Sequence, residues 1–552
     1  MKKRILVLAL TLCIALPVLA GAMPDHVIGR GMFVELLAQA SGEDLAQYEN
    51  ADCPFSDVGK ENTAVRWAYA KWLVNGDENS LFRPDDRITR QEAAAILGRY
   101  LEYQYTTLPP GCGTGAPSMQ NIPKWAQDGV KKCWMYGVID TGDRAEFYPN
   151  AEVMDSEAET WIANANKLAV GAIGEPETLS FADSLVQNVE REGNFMLSPY
   201  SARMCLAMLA NGARGQTQRE LLNALGIAEL TAFNREVKSQ LETYDGYARI
   251  MSLDTANSIW LNQTQYGGVG AFKPAFEAAM RENYRAEVRK VTDDNSVEQV
   301  NQWVKDKTKG KIPTILTEDD RDFVTALVNA VYFKAAWQNE FNEAATKKEP
   351  FTNADGTKTQ TDFMHQTDMF GYYSTPGIEA VKMDYRNYAV DNEAGDNWET
   401  FHDADFSMYL IKAAGKLNAQ HFLDSATFSD SQVQVAVPKF KIEFSAALND
   451  ALKALGVKTV YDAGRADLSG IASSTPQGNL FLDTVLQKTY IVIDEKGTEA
   501  AAVTAAMNAG GAMPSRRPPL VREFTADSPF WFAIRDNANG EILFVGRYES
   551  AK

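Results

Sequence analysis

"IDEKGTEAAAVTAAMNAGGAMPSRRPP", residues 493–519, decides how the rest of the chain is read. It continues an apolar strand pattern, "TYIVI" (489–493), with a long run of small side chains. A linker would be richer in Gly, Ser and Pro, and a helix would carry an apolar stripe for the core. In strand register Thr498, Ala500, Ala502, Thr504 and Ala506 share one face, and Glu499, Ala501, Val503, Ala505 and Met507 share the other. The first face is uniformly small, so the segment can slide between two existing strands over a packed core without a clash. Gly497 lets the backbone swing at the start, and no proline interrupts the ladder before Pro514. The run reads as a strand that has yet to join a sheet.

The chain around it has 552 residues, 45% hydrophobic and 23% charged, enough for a large core and more than one domain. It opens "MKKRILVLALTLCIALPVLAGAMP", with a basic tip, an apolar middle and small residues at Ala20 and Ala22, so residues 1–22 read as a secretory signal. The mature protein is expected to be secreted, with Cys13 cut away. Loss of Lys2, Lys3 and Arg4 takes the formal charge from −19 to −22, which argues against nucleic acid as a partner. No later stretch is apolar enough to span a bilayer. Cys53, Cys112 and Cys133 allow one disulfide among them, and the sequence does not choose which; Cys205, in "MCLAMLA", reads as a small core hydrophobe.

The composition shifts near residues 171–180, "GAIGEPETLS". Before it runs a repeat of about 60 residues: 55–101, "FSDVGKENTAVRW…", and 122–168, "IPKWAQDGVKKCW…". Each copy has a Trp-containing helix, a turn glycine (Gly76, Gly137), a Phe-x-Pro segment (82–84, 147–149) and a second helix; residues 27–42 look like the back half of an earlier copy. In "ITRQEAAAIL", Thr89 caps the helix, Glu92 completes a capping box, and Arg90 stands at the helix start, a corner suited to an anion. This module resembles the S-layer homology domain, which implies an all-α-like unit over residues 23–172 that attaches the exported protein to a bacterial cell-wall polymer. Thr89, Arg90 and Glu92 match the family's polymer-binding tetrad, whereas "MDSE" (154–157) lacks the Arg and "IGRGMF" (28–33) lacks the Thr and Glu.

Residues 173–552 show long amphipathic helices followed by strands, an α+β pattern without repeats. They carry no nucleophile elbow, phosphate loop, Cys-x-x-Cys or His-Glu-x-x-His, and His365, His402 and His421 stand far apart, so neither a hydrolase, a metal site nor a cofactor is expected. Six strings occur in an order that resembles the serpin family: "NFMLSPYSARMCLAMLANGARGQT" (194–217), "VNQWVKDKTKGKI" (300–312), "LVNAVYFKAAWQNEF" (327–341), "VAVPKFKIEFSAALNDALKALGVKTVY" (435–461), "KTYIVIDEKGTEAAA" (488–502) and "PFWFAIRD" (529–536).

The resemblance implies a large mixed central β-sheet, further sheets, about nine helices and an exposed reactive loop. It also implies a monomeric suicide substrate: a serine protease cleaves the loop, is held as an acyl-enzyme, and is carried along as the loop inserts. The family's spacing from the hinge glycine puts the cleaved bond between Gly511 and Ala512; Met513 is an alternative, and counting back from "REFTADSPF" gives Arg516. Small residues suit an elastase- or subtilisin-like protease, Arg516 a trypsin-like one, and Pro518 counts against Arg517. The hinge maps to Glu495, Gly497, Thr498, Glu499, Ala500, Ala501 and Ala502. Ser198, Ser201 and Asn329 map to the polar cluster beneath the opening sheet, and Trp337, Lys439 and Glu495 to the point of loop entry, with Lys439 and Glu495 as an ion pair. Gln487 stands where many members have His. The acidic stretch 390–405 reads as a solvated extension. The alternative is a serpin fold used as a surface binding protein without inhibition; charged or bulky inward hinge residues would favour it.

Overall fold

The computed structural model describes residues 26–105, 119–139, 147–166, 176, 178–189, 191–265, 272–375, 377–390, 398–413, 415–472, 479–498 and 520–552. The leader assigned to residues 1–22, together with Glu499, Ala500, Ala501, Ala502, Gly511, Ala512, Met513 and Arg516, lies outside them. The chain forms two compact units, Met1–Tyr100 with Cys112–Leu168, and Leu101–Gly111 with Ala169–Lys552.

The first unit is built on α1 (Arg30–Ser41), α2 (Thr63–Ala70), α3 (Arg90–Gln104), α4 (Lys124–Met135) and α5 (Asp155–Asn166). The segments leading into α1, α3 and α5 are tied in a ring of isolated antiparallel bridges: Gly29 to Arg87, Thr89 to Glu152, and Met154 to Val27. The partial copy at residues 27–42 therefore completes a three-part arrangement. Phe82 and Phe147 of the two Phe-x-Pro segments are both buried, and the residues after them, Arg83 and Tyr148, share a left-handed backbone (φ 58° and 49°). Cys53 and Cys133 are unpaired, and Cys112 lies outside the described residues.

In the second unit the helices are α6 (Phe181–Asn188), α7 (Pro199–Gly212), α8 (Gly215–Leu225), α9 (Leu230–Gly246), α10 (Pro274–Tyr284), α11 (Ser296–Lys307), α12 (Ala419–Ser425) and α13 (Asn449–Ala454). Among the described residues that makes eight α-helices, with three short 3-10 turns. The strands are β1 (Phe195–Leu197), β2 (Met251–Asn262), β3 (Glu287–Val291), β4 (Thr325–Ala336), β5 (Lys347–Thr352), β6 (Lys358–Thr375), β7 (Ile378–Asp384), β8 (Tyr388–Val390), β9 (Trp398–Thr400), β10 (Phe406–Ala413), β11 (Ser429–Pro438), β12 (Phe440–Ala447), β13 (Thr484–Asp494), β14 (Gly497–Thr498), β15 (Val521–Thr525), β16 (Phe530–Asp536) and β17 (Glu541–Tyr548).

Two large sheets organise all of them but β8 and β9, which form a separate two-stranded sheet. One has nine strands, in the order β1-β17-β16-β10-β7-β6-β11-β15 with β5 on β6; the other, mixed, runs β12-β13-β14-β4-β2-β3. Helix α7 fills the space behind the second sheet. Its sequence "PYSARMCLAMLANG" has Pro at the first turn, Ser198 as cap onto the Ser201 amide, and almost no exposed side chain. Cys205 on α7 is fully buried and its thiol is pushed up to about 12 by desolvation, which removes it from thiolate chemistry. Helix α11 covers the opposite face, where Val300, Trp303 and Val304 pack on Val328, Ala330 and Tyr332 of β4.

Candidate functional site

The second sheet is forked. Strands β13 and β4 pair directly and in parallel from Thr484/Ala326 to Tyr490/Tyr332. Beyond that pair they part, and β14 lies between them, antiparallel to both: Thr498 faces Ile493 and Ala335, and Gly497 faces Asp494 and Ala336. Residues 497 and 498 of the opening stretch are thus already strand.

The chain turns into the fork at Glu495 and Lys496, and both carbonyls of that turn are held. Trp337 N–H donates to the Lys496 carbonyl (3.0 Å) and Phe341 N–H to the Glu495 carbonyl (2.8 Å). The Trp337 indole donates to the Asp494 carbonyl (2.9 Å). Glu495 is nearly buried; its carboxylate accepts from Lys439 Nζ at 2.7 Å and from Thr346 Oγ1 at 2.8 Å. Burial pushes this carboxyl upward, but the two donors outweigh it and hold it below the usual range. Gly497 has φ 148°, and a Cβ there would stand 2.2 Å from the Ala335 carbonyl oxygen, so only glycine fits. Thr498 is fully buried on the core face, its hydroxyl 2.7 Å from Tyr385 Oη, and the Tyr385 ring stacks on Trp337 at 4.8 Å.

Below the fork lies a polar cluster in an otherwise apolar core. Gln487 Oε1 accepts from the Ser198 amide (2.9 Å), and Gln487 Nε2 donates to the Ser198 carbonyl (3.0 Å) and across to Asn329 Oδ1 on β4 (2.8 Å). Asn329 Nδ2 donates to Ser201 Oγ and to Asn257 Oδ1 on β2 (2.6 Å). Ser198, Ser201, Asn329 and Gln487 are all at most 1% exposed. The residues picked from the sequence fall into two contacting groups, Trp337/Lys439/Glu495 at the fork and Ser198/Ser201/Asn329 below it. Tyr385, Thr346 and Asn257 escaped sequence reading because each touches the site only through strands distant along the chain.

In the first unit, Glu92 accepts from the Thr89 amide and hydroxyl (2.9 and 2.7 Å), which is the glutamate's half of the capping box expected of the motif. Arg90 is turned inward: it donates to the Phe147 carbonyl (3.1 Å) and to Glu157, and its guanidinium lies over the Phe147 and Trp161 rings. Arg30 repeats the contact one copy earlier, with the Phe82 carbonyl (2.9 Å), Glu92 and the Phe82 ring. Each arginine clamps its own copy to the next. That explains the sequence departures: in a row of three, the first copy needs only the Arg and the last only the Glu. Beside the Arg30–Glu92 clamp is an open cavity of about 410 Å³, lined by Asn75, Asp77, Arg83, Arg99 and the half-exposed Trp125. Among the described residues no cluster of His, Cys, Asp or Glu could hold a metal, and no helix is long and apolar enough to cross a membrane.

A mixed sheet forked around a small-residue hinge, over a buried amide cluster, is the architecture of one family. Residues 177–551 match the family model described as serpin (serine protease inhibitor), and the chain belongs to the serpin family. Residues 54–94 match the S-layer homology domain. Serpin-Z7 of Hordeum vulgare is 32% identical over 377 residues, covering 64% of this chain and 89% of the barley protein. The leukocyte elastase inhibitor of Homo sapiens is 30% identical over 370 residues, covering 65% and 93%. Among solved structures, the thermophilic serpin Tengpin in its native state matches with TM-score 0.56 and 27% identity, over 67% of this chain and 92% of Tengpin. Serpin48 of the insect Tenebrio molitor matches with TM-score 0.55 and 26% identity, over 67% and 96%.

Proposed function

We propose that the protein is a secreted suicide-substrate inhibitor of elastase- or subtilisin-like serine proteases, held at the bacterial cell wall by its first unit. The observation that carries the inhibitory reading is the register of β14. If an inserted loop continued that register down the fork from Thr498, Ala500 would fall between Ile491 and Phe333, Ala502 between Thr489 and Val331, Thr504 between Gln487 and Asn329, and Ala506 between Val485 and Leu327. All eight of those neighbours are buried. The small face of the loop meets the core, while Glu499, Ala501 and Val503 take the other face. Proteolysis frees the loop's downstream end, and each residue that enters gains ladder bonds on two sides. The protease, still joined as an acyl-enzyme, is dragged along before water can release it. Gly511 is the favoured acyl-forming residue, with Met513 and Arg516 as rivals.

The test is to mix the protein with elastase, subtilisin and trypsin in turn. A gel-stable covalent band with the first two, and a released peptide whose mass begins at Ala512, is the expected result. Cleavage with full recovery of protease activity would overturn the inhibitory reading.

For wall attachment, the Arg90 side chain acts as the clamp between copies, and Glu92, held by Thr89, lines the cavity that receives the polymer. Trp125 offers a face on which a sugar ring can stack, and Arg83 and Arg99 offer charge to an acidic sugar. Sedimentation with purified cell walls, lost in Trp125→Ala with secondary structure intact, tests it.

A further inference from the structure

The end of α3 is built into the second unit. The helix runs Arg90–Gln104, and from Leu101 on it belongs with residues 169–552 rather than with the repeats. A helix leaves its last four carbonyls without helical donors. Here each of the four has one. The Leu101 carbonyl accepts from the Tyr105 amide (2.9 Å), and the other three are met by side chains from the nine-stranded sheet. Arg522 of β15 donates through Nη1 to the Tyr103 carbonyl (2.5 Å) and through Nη2 to the Glu102 carbonyl (3.2 Å), and Ser374 of β6 donates to the Gln104 carbonyl (2.8 Å). The Arg522 guanidinium also lies 5.2 Å from the centre of the Tyr372 ring, whose hydroxyl donates to Glu379 on β7 at 2.6 Å. A guanidinium that forks onto two carbonyls at the negative end of a helix dipole, with an aromatic face against it, is a directed contact.

What this contact holds is an edge. β15 stands last in its sheet, and among the described strands its five residues pair with β11 alone, in parallel from Gln432/Val521 to Ala436/Thr525. A short edge strand with one partner opens more easily than the strands inside the sheet. Its place in the chain makes that matter: β14 ends at Thr498 and β15 begins at Val521, so the two strands bound the small-residue segment on either side.

We propose that the last turn of α3 is a clip that keeps β15 in the sheet, so that the inhibitory body of this chain needs residues 101–105 as well as 177–551. A second consequence concerns the lifetime of the inhibitor; it rests on the inhibitory reading above, whereas the clip does not. The far end of the uncleaved segment is tied at β15, which limits how much chain can pass into the fork. Release of β15 adds five residues of slack, about 16 Å at strand rise. A loosened clip lets the uncleaved segment enter the fork and inactivates the inhibitor without a protease.

The experiment is a double-mutant cycle on the full chain, read by amide hydrogen exchange, with Arg522→Ala, Tyr103→Pro and the two combined. Tyr103→Pro distorts the last turn and shifts its carbonyls without touching β15. Each single variant should exchange residues 521–525 at least tenfold faster than wild type, and the double variant should be no faster than Arg522→Ala alone. Residues 530–536 of β16 should exchange as in wild type in all three. Arg522→Lys, which keeps the charge and loses the fork of donors, should fall between Arg522→Ala and wild type. Equal acceleration in β16 would mean a general loosening, and an unchanged β15 in Tyr103→Pro, or additive effects, would mean that Arg522 acts without the helix; any of these overturns the clip. For the second consequence, intact protein is incubated without protease and then titrated with elastase. Trapping capacity should decline at least threefold faster in Arg522→Ala than in wild type, with the chain still full length on a gel. Equal decline refutes the effect on lifetime. A protein that shows the β15 exchange pattern and never traps elastase keeps the clip and sinks the inhibitory reading instead.

Discussion

Taking away the two partners of the Lys439–Glu495 pair one at a time separates a buried charge from an exposed one. The Glu495 side chain is 8% exposed and that of Lys439 39%. Lys439→Ala strands a carboxylate in a desolvated turn with one neutral donor, Thr346, at a cost of about 2–3 kcal/mol. Glu495→Gln keeps the shape and the Thr346 contact and lets Lys439 turn to water, so it costs about 1 kcal/mol or less. The double variant K439A/E495Q should therefore be more stable than K439A alone, because the orphaned charge is gone. The pH dependence follows the same logic. Glu495 is held below the usual carboxylate range, so its contribution is complete above the unfolded pKa and is lost as pH falls through the folded one. Wild type should lose part of its margin over K439A as pH drops from about 7 to about 3, and E495Q should have nothing of this kind to lose. Urea unfolding of freshly purified intact protein at several pH values measures all four chains. If E495Q unfolds as readily as K439A, or the double variant is no better than K439A, the assignment of the buried charge is wrong.

Three further outcomes follow from single contacts. Gly497→Val drives a side chain into the Ala335 carbonyl and expels β14, so covalent complex formation with elastase should fall at least tenfold on a gel while the unit stays folded by circular dichroism. Because Gln487 does not titrate, the rate of complex formation in protein-limited single-turnover assays should change little between about pH 5.5 and 7.5, and Gln487→His should introduce a pH dependence there. Arg90→Ala leaves Glu157 and the Phe147 carbonyl without their shared donor and should destabilise the first unit by about 2–4 kcal/mol, read as faster amide exchange in α5.

The start of the hinge was legible because its signal is local: after an apolar strand, Gly497 marks a backbone angle that favours glycine, and Thr498 falls on the core face as the alternation expects, while the rest of the small-residue run lies outside the described residues. Lys439 and Glu495 could be paired only through the resemblance, since 56 positions separate them. The strand order of the nine-stranded sheet and the contribution of Tyr385 depended on pairings across long stretches of chain, which periodicity does not encode. Arg90 is the most instructive case. At the start of a capped helix it reads as a donor waiting for an anion, and only the fold brings Glu157 and the Phe147 carbonyl to it from the following copy. The incomplete tetrads at 28–33 and 154–157, which from sequence look like decay, are the two ends of a row of clamps.

The amide cluster below the fork ties the intact state to the inserted one. While β13 and β4 touch, Gln487 Nε2 reaches Asn329 Oδ1 directly, at 2.8 Å, and the buried Asn257 Nδ2 has no partner among the described residues. An entering strand pushes the two amides apart by about 4.8 Å, more than that bond can stretch, and would orphan groups in a dry core. Thr504 is the residue whose register falls between them, and a hydroxyl both donates and accepts, so it can replace the lost bond from either side. Thr504→Val keeps the volume and removes the hydroxyl. It should leave the melting temperature of the intact protein unchanged and destabilise the cleaved, inserted form by about 1–3 kcal/mol. Calorimetry of both forms of both chains decides it: equal shifts in intact and cleaved protein, or none in the cleaved form, would mean that the loop does not enter in the register that β14 begins.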